Sequence, residues 1–423
     1  MVKPRSRTLL AVLALLTVAA ARPPPNDPHF DQQWGLHRIR APEAWTISQG
    51  EGVVAAVVDS GVDLTHPDLA GALARRADGS VLGYDFVEGD DDPTDEHGHG
   101  TMVAGIIAAR TSNGTGVASV APAARIMPVR VLDSRALGPN STVEEGIRWA
   151  VDHGAHVINL SLEVARERWA GTRSSEQPIS SLERVLRYAW SRGVAVVAAA
   201  GNDSADFTDY PSDSPVVLVG ATNERDVRAG FSDAGRPDAL MAPGVNIVST
   251  WCSPCGSRVR HRIGRSEGTS YAAAHVTGAI ALMRGAGYGS ATAVSRLRQT
   301  ARDVGSYGPD RRTGYGRIDV AAALGLPGPA GGTLKGSDGL VPQQASDALE
   351  PGSTRSPPGV LARRGTTGSS AGANEESAAF TRGDASGSAR AWGVVAAGLL
   401  VSTVAALWWV TVREQLPSRR YGP

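Results

Sequence analysis

Val53-Val54-Ala55-Ala56-Val57-Val58-Asp59-Ser60-Gly61 is the stretch from which the fold is read. Six apolar residues without alternation make a strand buried on both faces, and the run stops at an acidic residue and a turn-forming glycine. The same pattern repeats further along the chain. Residues 143–153 carry a helical pattern, stopped by Gly154 and followed by an apolar strand over 156–162. Residues 180–192 form a second helix, stopped by Gly193 and followed by a strand over 194–199. Buried strands joined through helices predict an α/β fold, a parallel sheet with helices on both faces. Sites in such sheets form beyond the carboxyl ends of the strands, where Asp59 and Asn202 both fall.

The ends of the chain read differently. Lys3, Arg5 and Arg7 precede an apolar run over 8–18 and then Ala19-Ala20-Ala21, so residues 1–21 are expected to be an export signal peptide. Residues 391–412 are uncharged and mostly apolar, about the length of one membrane helix, with Trp392 near one end and Trp408-Trp409 near the other. Arg413, Arg419 and Arg420 follow it and predict a cytoplasmic tail over 413–423. Between them, residues 325–390 are rich in Gly, Pro, Ser and Ala, too poor in apolar groups to offset the entropy of ordering, and read as a flexible stalk. The folded domain is therefore expected at 26–324, outside the cytoplasm, on a single-pass membrane protein. Only about a dozen residues separate the predicted cleavage point from Trp34, so no folding-assisting pro-domain is expected. The 42 basic and 42 acidic residues leave a net charge of zero, which gives no field for a nucleic acid, and no such partner is expected.

Three local patterns carry chemistry, in the order Asp, His, Ser: Val57-Val58-Asp59-Ser60-Gly61, then His97-Gly98-His99-Gly100-Thr101-Met102-Val103-Ala104-Gly105, then Gly268-Thr269-Ser270-Tyr271-Ala272-Ala273-Ala274-His275-Val276. Each alone is ordinary: an Asp after a strand often caps a turn, and a Gly-Thr-Ser is often a loop. Together they form a nucleophile, a base and an orienting carboxylate. A serine hydroxyl needs a base within hydrogen-bond reach, the role predicted for His99, while Asp59 would hold its tautomer. Ser270 opens a helical run, whose first N–H groups favour a developing oxyanion. The set resembles the subtilisin-like serine proteases over about residues 27–324.

The resemblance implies a serine endopeptidase acting on protein or peptide substrates, with Asn202, in Ala198-Ala199-Ala200-Gly201-Asn202, as the side-chain donor of the oxyanion hole. It implies that Val157-Ile158-Asn159-Leu160-Ser161-Leu162 pairs with an extended substrate, so that Ser161, Leu162, Glu163 and Gly201 are substrate contacts. The family continues this strand with two glycines, whereas this chain has Glu163-Val164, and a narrower specificity that tolerates a basic P1 residue is expected. Ala274 stands where proline is common and Met102 where histidine is; Tyr210-Pro211 resembles a family cis-peptide site.

Segments around Asp27, Asp68 and Asn113 resemble a stabilising calcium site of thermitase-like members, and the acidic residues Asp85, Glu88, Asp90 and Asp92 suggest a second. Cys252 and Cys255 are the only cysteines, and export favours a local disulfide over redox or zinc chemistry. Signal peptide, protease, stalk and anchor together are similar in layout to mycosins, the membrane proteases of actinobacterial type VII secretion, which implies a secretion complex as partner. The alternative is a catalytically weak, protease-like scaffold in such a complex. An esterase would instead show a G-x-S-x-G elbow, which Ser270 lacks.

Overall fold

The computed structural model describes residues 23–162, 180–206, 208, 210, 213–256 and 259–328. The predicted signal peptide, nearly all of the predicted stalk, the predicted membrane helix and tail, Glu163 and Pro211 lie outside the described residues. Among the described residues, no helix is long and apolar enough to cross a membrane.

Seven parallel strands form the central sheet in the order β2-β3-β1-β4-β5-β6-β7. They are β1 (Val54–Asp59), β2 (Tyr84–Asp85), β3 (Arg125–Arg130), β4 (Val157–Leu160), β5 (Ala195–Ala199), β6 (Val216–Thr222) and β7 (Leu240–Pro243). β1 lies between β3 and β4, with Asp59 opposite Arg130 and Val58 opposite Leu160. Its apolar run serves two cores at once. Ala55 and Val57 point into one cluster, and Ala56 and Val58 into another on the opposite face, the period-two alternation of a strand covered on both sides.

Helices α3 (His99–Ala108) and α6 (Thr269–Gly285) fill the first core, while α4 (Asn140–Asp152) and α5 (Ser181–Ser191) cover the second. The predicted helices are present with shifted ends. In α5 the start is set by Ser180, whose hydroxyl accepts from Glu183 N–H. Short helices α1 (Trp34–Arg38) and α2 (Ala41–Ala44) pack near α8 (Val320–Ala323), with Val320 N–H donating to Ile39 O at 2.9 Å, and α7 (Ser290–Gln299) follows α6. A separate antiparallel hairpin of β8 (Ile247–Cys252) and β9 (His261–Ser266) lies just before α6 in the chain. The sequence reading did not anticipate it. Its second strand is largely exposed and polar, and so lacks a buried face to read.

Candidate active site

Three elements bring three predicted side chains to one place. β1 ends on the fully buried Asp59, α3 begins at His99, and Ser270 lies in the first turn of α6, where backbone N–H groups have no intrahelical partner. His99 Nδ1 lies 2.8 Å from Asp59 Oδ1. With the carboxylate accepting, Nδ1 is the donor and Nε2 is left as the basic nitrogen. Ser60 N–H donates to the same Oδ1 at 2.7 Å, and Oδ2 is buried without a hydrogen-bond partner. Ser270 Oγ donates to Ser161 O at 3.3 Å, and among the described residues no hydrogen bond joins it to His99. Serine–histidine contacts of this kind tighten when substrate binds.

Burial works against a charged His99, but the Asp59 carboxylate, through its charge and its hydrogen bond, and the charge of Asp95 outweigh it. The His99 pKa therefore lies above the ordinary imidazole value. Asp95, beside His99, is the buried carboxylate that sequence reasoning missed. Its Oδ1 accepts from Ser60 Oγ, His97 N–H and Gly98 N–H, and its Oδ2 accepts from Thr101 N–H and Oγ1, so one buried carboxylate shapes the whole turn that carries His99. Burial pushes the Asp95 pKa up against these bonds. Its only signal in the sequence is an acidic residue four places before His99.

Asn202 is oriented by its neighbour. Thr269 N–H and Oγ1 both donate to Asn202 Oδ1, at 2.9 and 3.1 Å, which leaves the amide Nδ2 as the available donor. Ser161 Oγ donates to Ser270 O at 2.8 Å and accepts from Asn159 Nδ2, and Thr277 Oγ1 donates to Asn159 Oδ1. These bonds tie β4 to α6 beneath the serine. Ser161, Leu162, Gly201, Asn202, His99 and Ser270 line one cleft of about 640 Å³. Of the predicted substrate contacts, only Glu163 falls outside the described residues. The structure confines His275 to the interior of α6, where Nδ1 donates to Tyr271 O at 2.7 Å. Burial lowers its pKa to about 4.

The two predicted calcium regions differ. Asp27, Asp68 and Asn113 do come together: Asp27 accepts from Ser112 and Asn113 N–H, and Asp68 accepts from Asn113 Nδ2, Thr115 Oγ1 and Val117 N–H. Both carboxylates are buried, and burial, with the charge of Asp68 close by, raises the Asp27 pKa. The second region is built differently. Among the described residues no three His, Cys, Asp or Glu side chains converge as metal ligands. Asp85 is instead bound to Arg130 Nη1 at 2.6 Å, Asp90 accepts from Asp92 N–H, Asp92 accepts from Thr94 Oγ1, and Glu88 donates its backbone N–H to Asp85. The Arg130 guanidinium is the cation paired with Asp85 here.

Cys252 and Cys255 form the predicted disulfide. The cis peptide among the described residues is Ser253–Pro254, inside that ring; Pro211, where one was expected, lies outside them.

A carboxylate-bound histidine and a serine at a helix start, sharing a cleft on a parallel sheet, define a serine hydrolase site. The subtilase family model matches residues 50–316. Thermitase from Thermoactinomyces vulgaris is 39% identical over 286 residues, 67% of this chain and 94% of that protein. Subtilisin BL from Lederbergia lenta is 38% identical over 294 residues, 69% of this chain and 97% of that protein. The solved structure of proteases from Pseudoalteromonas arctica superposes with a TM-score of 0.58 at 30% identity, covering 71% of this chain and 99% of that one. The chain belongs to the subtilase family, and it is a serine endopeptidase.

Proposed function

We propose that Asp59, His99 and Ser270 are the catalytic triad and that the protein cleaves peptide bonds through an acyl-enzyme. The observation that carries this reading is the 2.8 Å Asp59–His99 bond at one side of the cleft whose other side bears Ser270 in the first turn of α6. His99 Nε2 takes the Ser270 Oγ proton as the oxygen attacks the scissile carbonyl. The carbonyl oxygen becomes an anion, held by Asn202 Nδ2 and Ser270 N–H; a donor of Asn202's kind contributes roughly 2.7–4 kcal/mol to the transition state. His99 then passes its proton to the leaving amine, and water repeats the cycle on the ester. Asp59 stays ionised throughout and stabilises the imidazolium.

Substrate would lie extended along Ser161 and Leu162 beyond the end of β4, with Gly201 opposite. Glu163 follows directly in the chain, and a basic P1 residue remains the specificity we assign to it. Asp27, Asp68 and Asn113 would hold a calcium ion, whose charge would offset two buried carboxylates that have no ion-pair partner among the described residues. The apolar stretches at the two ends support an exported, membrane-anchored enzyme with an extracytoplasmic domain, and the mycosin-like layout makes a type VII-like secretion complex the partner to test.

The test uses the full chain in mild detergent beside Ser270→Ala. Both are exposed to a fluorophosphonate probe and a peptide library, with calcium or with a chelator. Labelling and cleavage in the parent, absent from the variant, and a melting temperature lowered by the chelator are expected. A folded, calcium-loaded parent that neither labels nor cleaves would replace this reading with the scaffold.

A further inference from the structure

The β8–β9 hairpin carries the disulfide and lies directly against the turn that presents His99. Cys252 ends β8 and is buried, whereas Cys255 is half-buried. Three hydrogen bonds tie this hairpin to residues 95–102. Gly256 N–H donates to Asp95 O at 3.0 Å, Thr250 Oγ1 to Thr101 O at 2.7 Å, and Ser249 Oγ to Met102 O at 2.8 Å. Cys252 Sγ lies 3.8 Å from Thr101 Oγ1, the hydroxyl that donates to Asp95 Oδ2. At Gly98 the approach is so close that a Cβ would come within 3.2 Å of Cys252 O. The hairpin that carries the disulfide therefore backs the arc that holds the base, with one hydrogen bond before His99 and two after it.

Most of these anchors sit on β8, which is held in the hairpin by its pairing with β9. Gly256 does not. It follows Cys255 in the chain, beyond the end of β8, so its bond to Asp95 depends on how the ring returns the chain. Asp95 in turn accepts the N–H groups of His97 and Gly98. We propose that the Cys252–Cys255 disulfide is a positioning clamp for the catalytic base, and that it makes the peptidase responsive to dithiols; the proposal rests on the triad assigned above. A dithiol's thiolate attacks the more exposed Cys255 Sγ, the S–S bond breaks, and Cys252 leaves as a thiolate that takes up a proton. The second thiol of the reductant then attacks the mixed disulfide, freeing Cys255 and leaving the reductant as its own disulfide. Two electrons pass to the protein, and the reverse exchange restores the clamp.

The experiment compares the full chain, oxidised, reduced with dithiothreitol, and reoxidised, with the double variant Cys252→Ala/Cys255→Ala. Free thiols are counted by alkylation, folding is followed by circular dichroism, and kcat, KM and the pH profile are measured on one peptide substrate. Opening the ring is expected to lower kcat by about ten-fold, a fraction of the 10²–10⁴ that a positioned general base supplies, with KM within about two-fold. The acid limb of kcat/KM should move to lower pH as Asp95 loses its place beside His99, the other groups facing the ring being Asp59, His97 and Tyr271. Reoxidation should restore both. Unchanged kcat and acid limb in the fully reduced enzyme would overturn the clamp, and so would unfolding of the whole domain on reduction, which would make the bond a general staple. An oxidised parent that neither cleaves nor labels with fluorophosphonate would instead mark failure of the triad reading.

Discussion

Two regions beside the first core each hold a histidine, and they treat it in opposite ways. At the start of α3, His99 faces the carboxylates of Asp59 and Asp95, and its pKa is raised despite burial. Inside α6, His275 meets only the carbonyl of Tyr271, and its pKa falls to about 4. His99 is half-buried and His275 fully enclosed, and both donate through Nδ1. What separates the proposed base from a packing residue is the charge opposite it, and whether Nε2 opens on a cleft. His99 lines the 640 Å³ cleft, while a Cβ on Gly35 would lie 2.8 Å from His275 Nε2.

The largest test removes the charge from the first region. Asp59→Asn should lower kcat by on the order of 10⁴-fold, because an amide can present the wrong partner to Nδ1 and cannot stabilise the imidazolium. Its residual activity should have an acid limb at lower pH than the parent's. A loss below ten-fold would remove the distinction between the two histidines.

The second test acts on His275. A histidine kept neutral by burial resists protonation that the unfolded chain accepts. Stability is therefore complete above about pH 6.5 and is lost as the pH falls through the unfolded value towards about 4. The loss amounts to about 3 kcal/mol over that window. Urea unfolding at several pH values, in a Ser270→Ala background that prevents self-digestion, should show His275→Gln losing less stability on acidification than the parent. Parallel curves would mean that His275 is not the group responsible.

The smallest effect sharpens the first region. Asp95→Asn places an amide N–H₂ against a set of N–H and O–H donors, at a cost of about 1–3 kcal/mol in stability. It should lower kcat by about ten-fold and shift the acid limb down, with Asp59 still in place. An acid limb that does not move would confine Asp95 to a purely structural role.

The motifs that suggest Asp59, His99 and Ser270 as a triad stood out because each is contiguous and its neighbours also carry information, such as Gly100-Thr101 after His99. The sheet was legible for a related reason, since β1, β4 and β5 are apolar runs bounded by turn residues. What could not be read was set by partners far away in the chain. Nothing near Asp85 announces that Arg130, 45 residues on, will neutralise it. The role of Asp95 likewise depends on the folded turn around it, and β9 has no apolar face to betray it. By contrast the Asp27, Asp68 and Asn113 grouping was visible only through family resemblance, because its members come from three separate loops.

From Thr269 to Met283 every side chain of α6 is buried, and a Cβ at Gly278 would lie 2.5 Å from Val120 Cβ. The segment that carries Ser270 therefore has no free surface on which to drift. Substitutions within it become acceptable only in step with changes in the shell around it, so variation should appear as correlated pairs, such as an enlarged residue 278 with a reduced residue 120. In family history this helix would change slowly and in company, while the outer loops change alone.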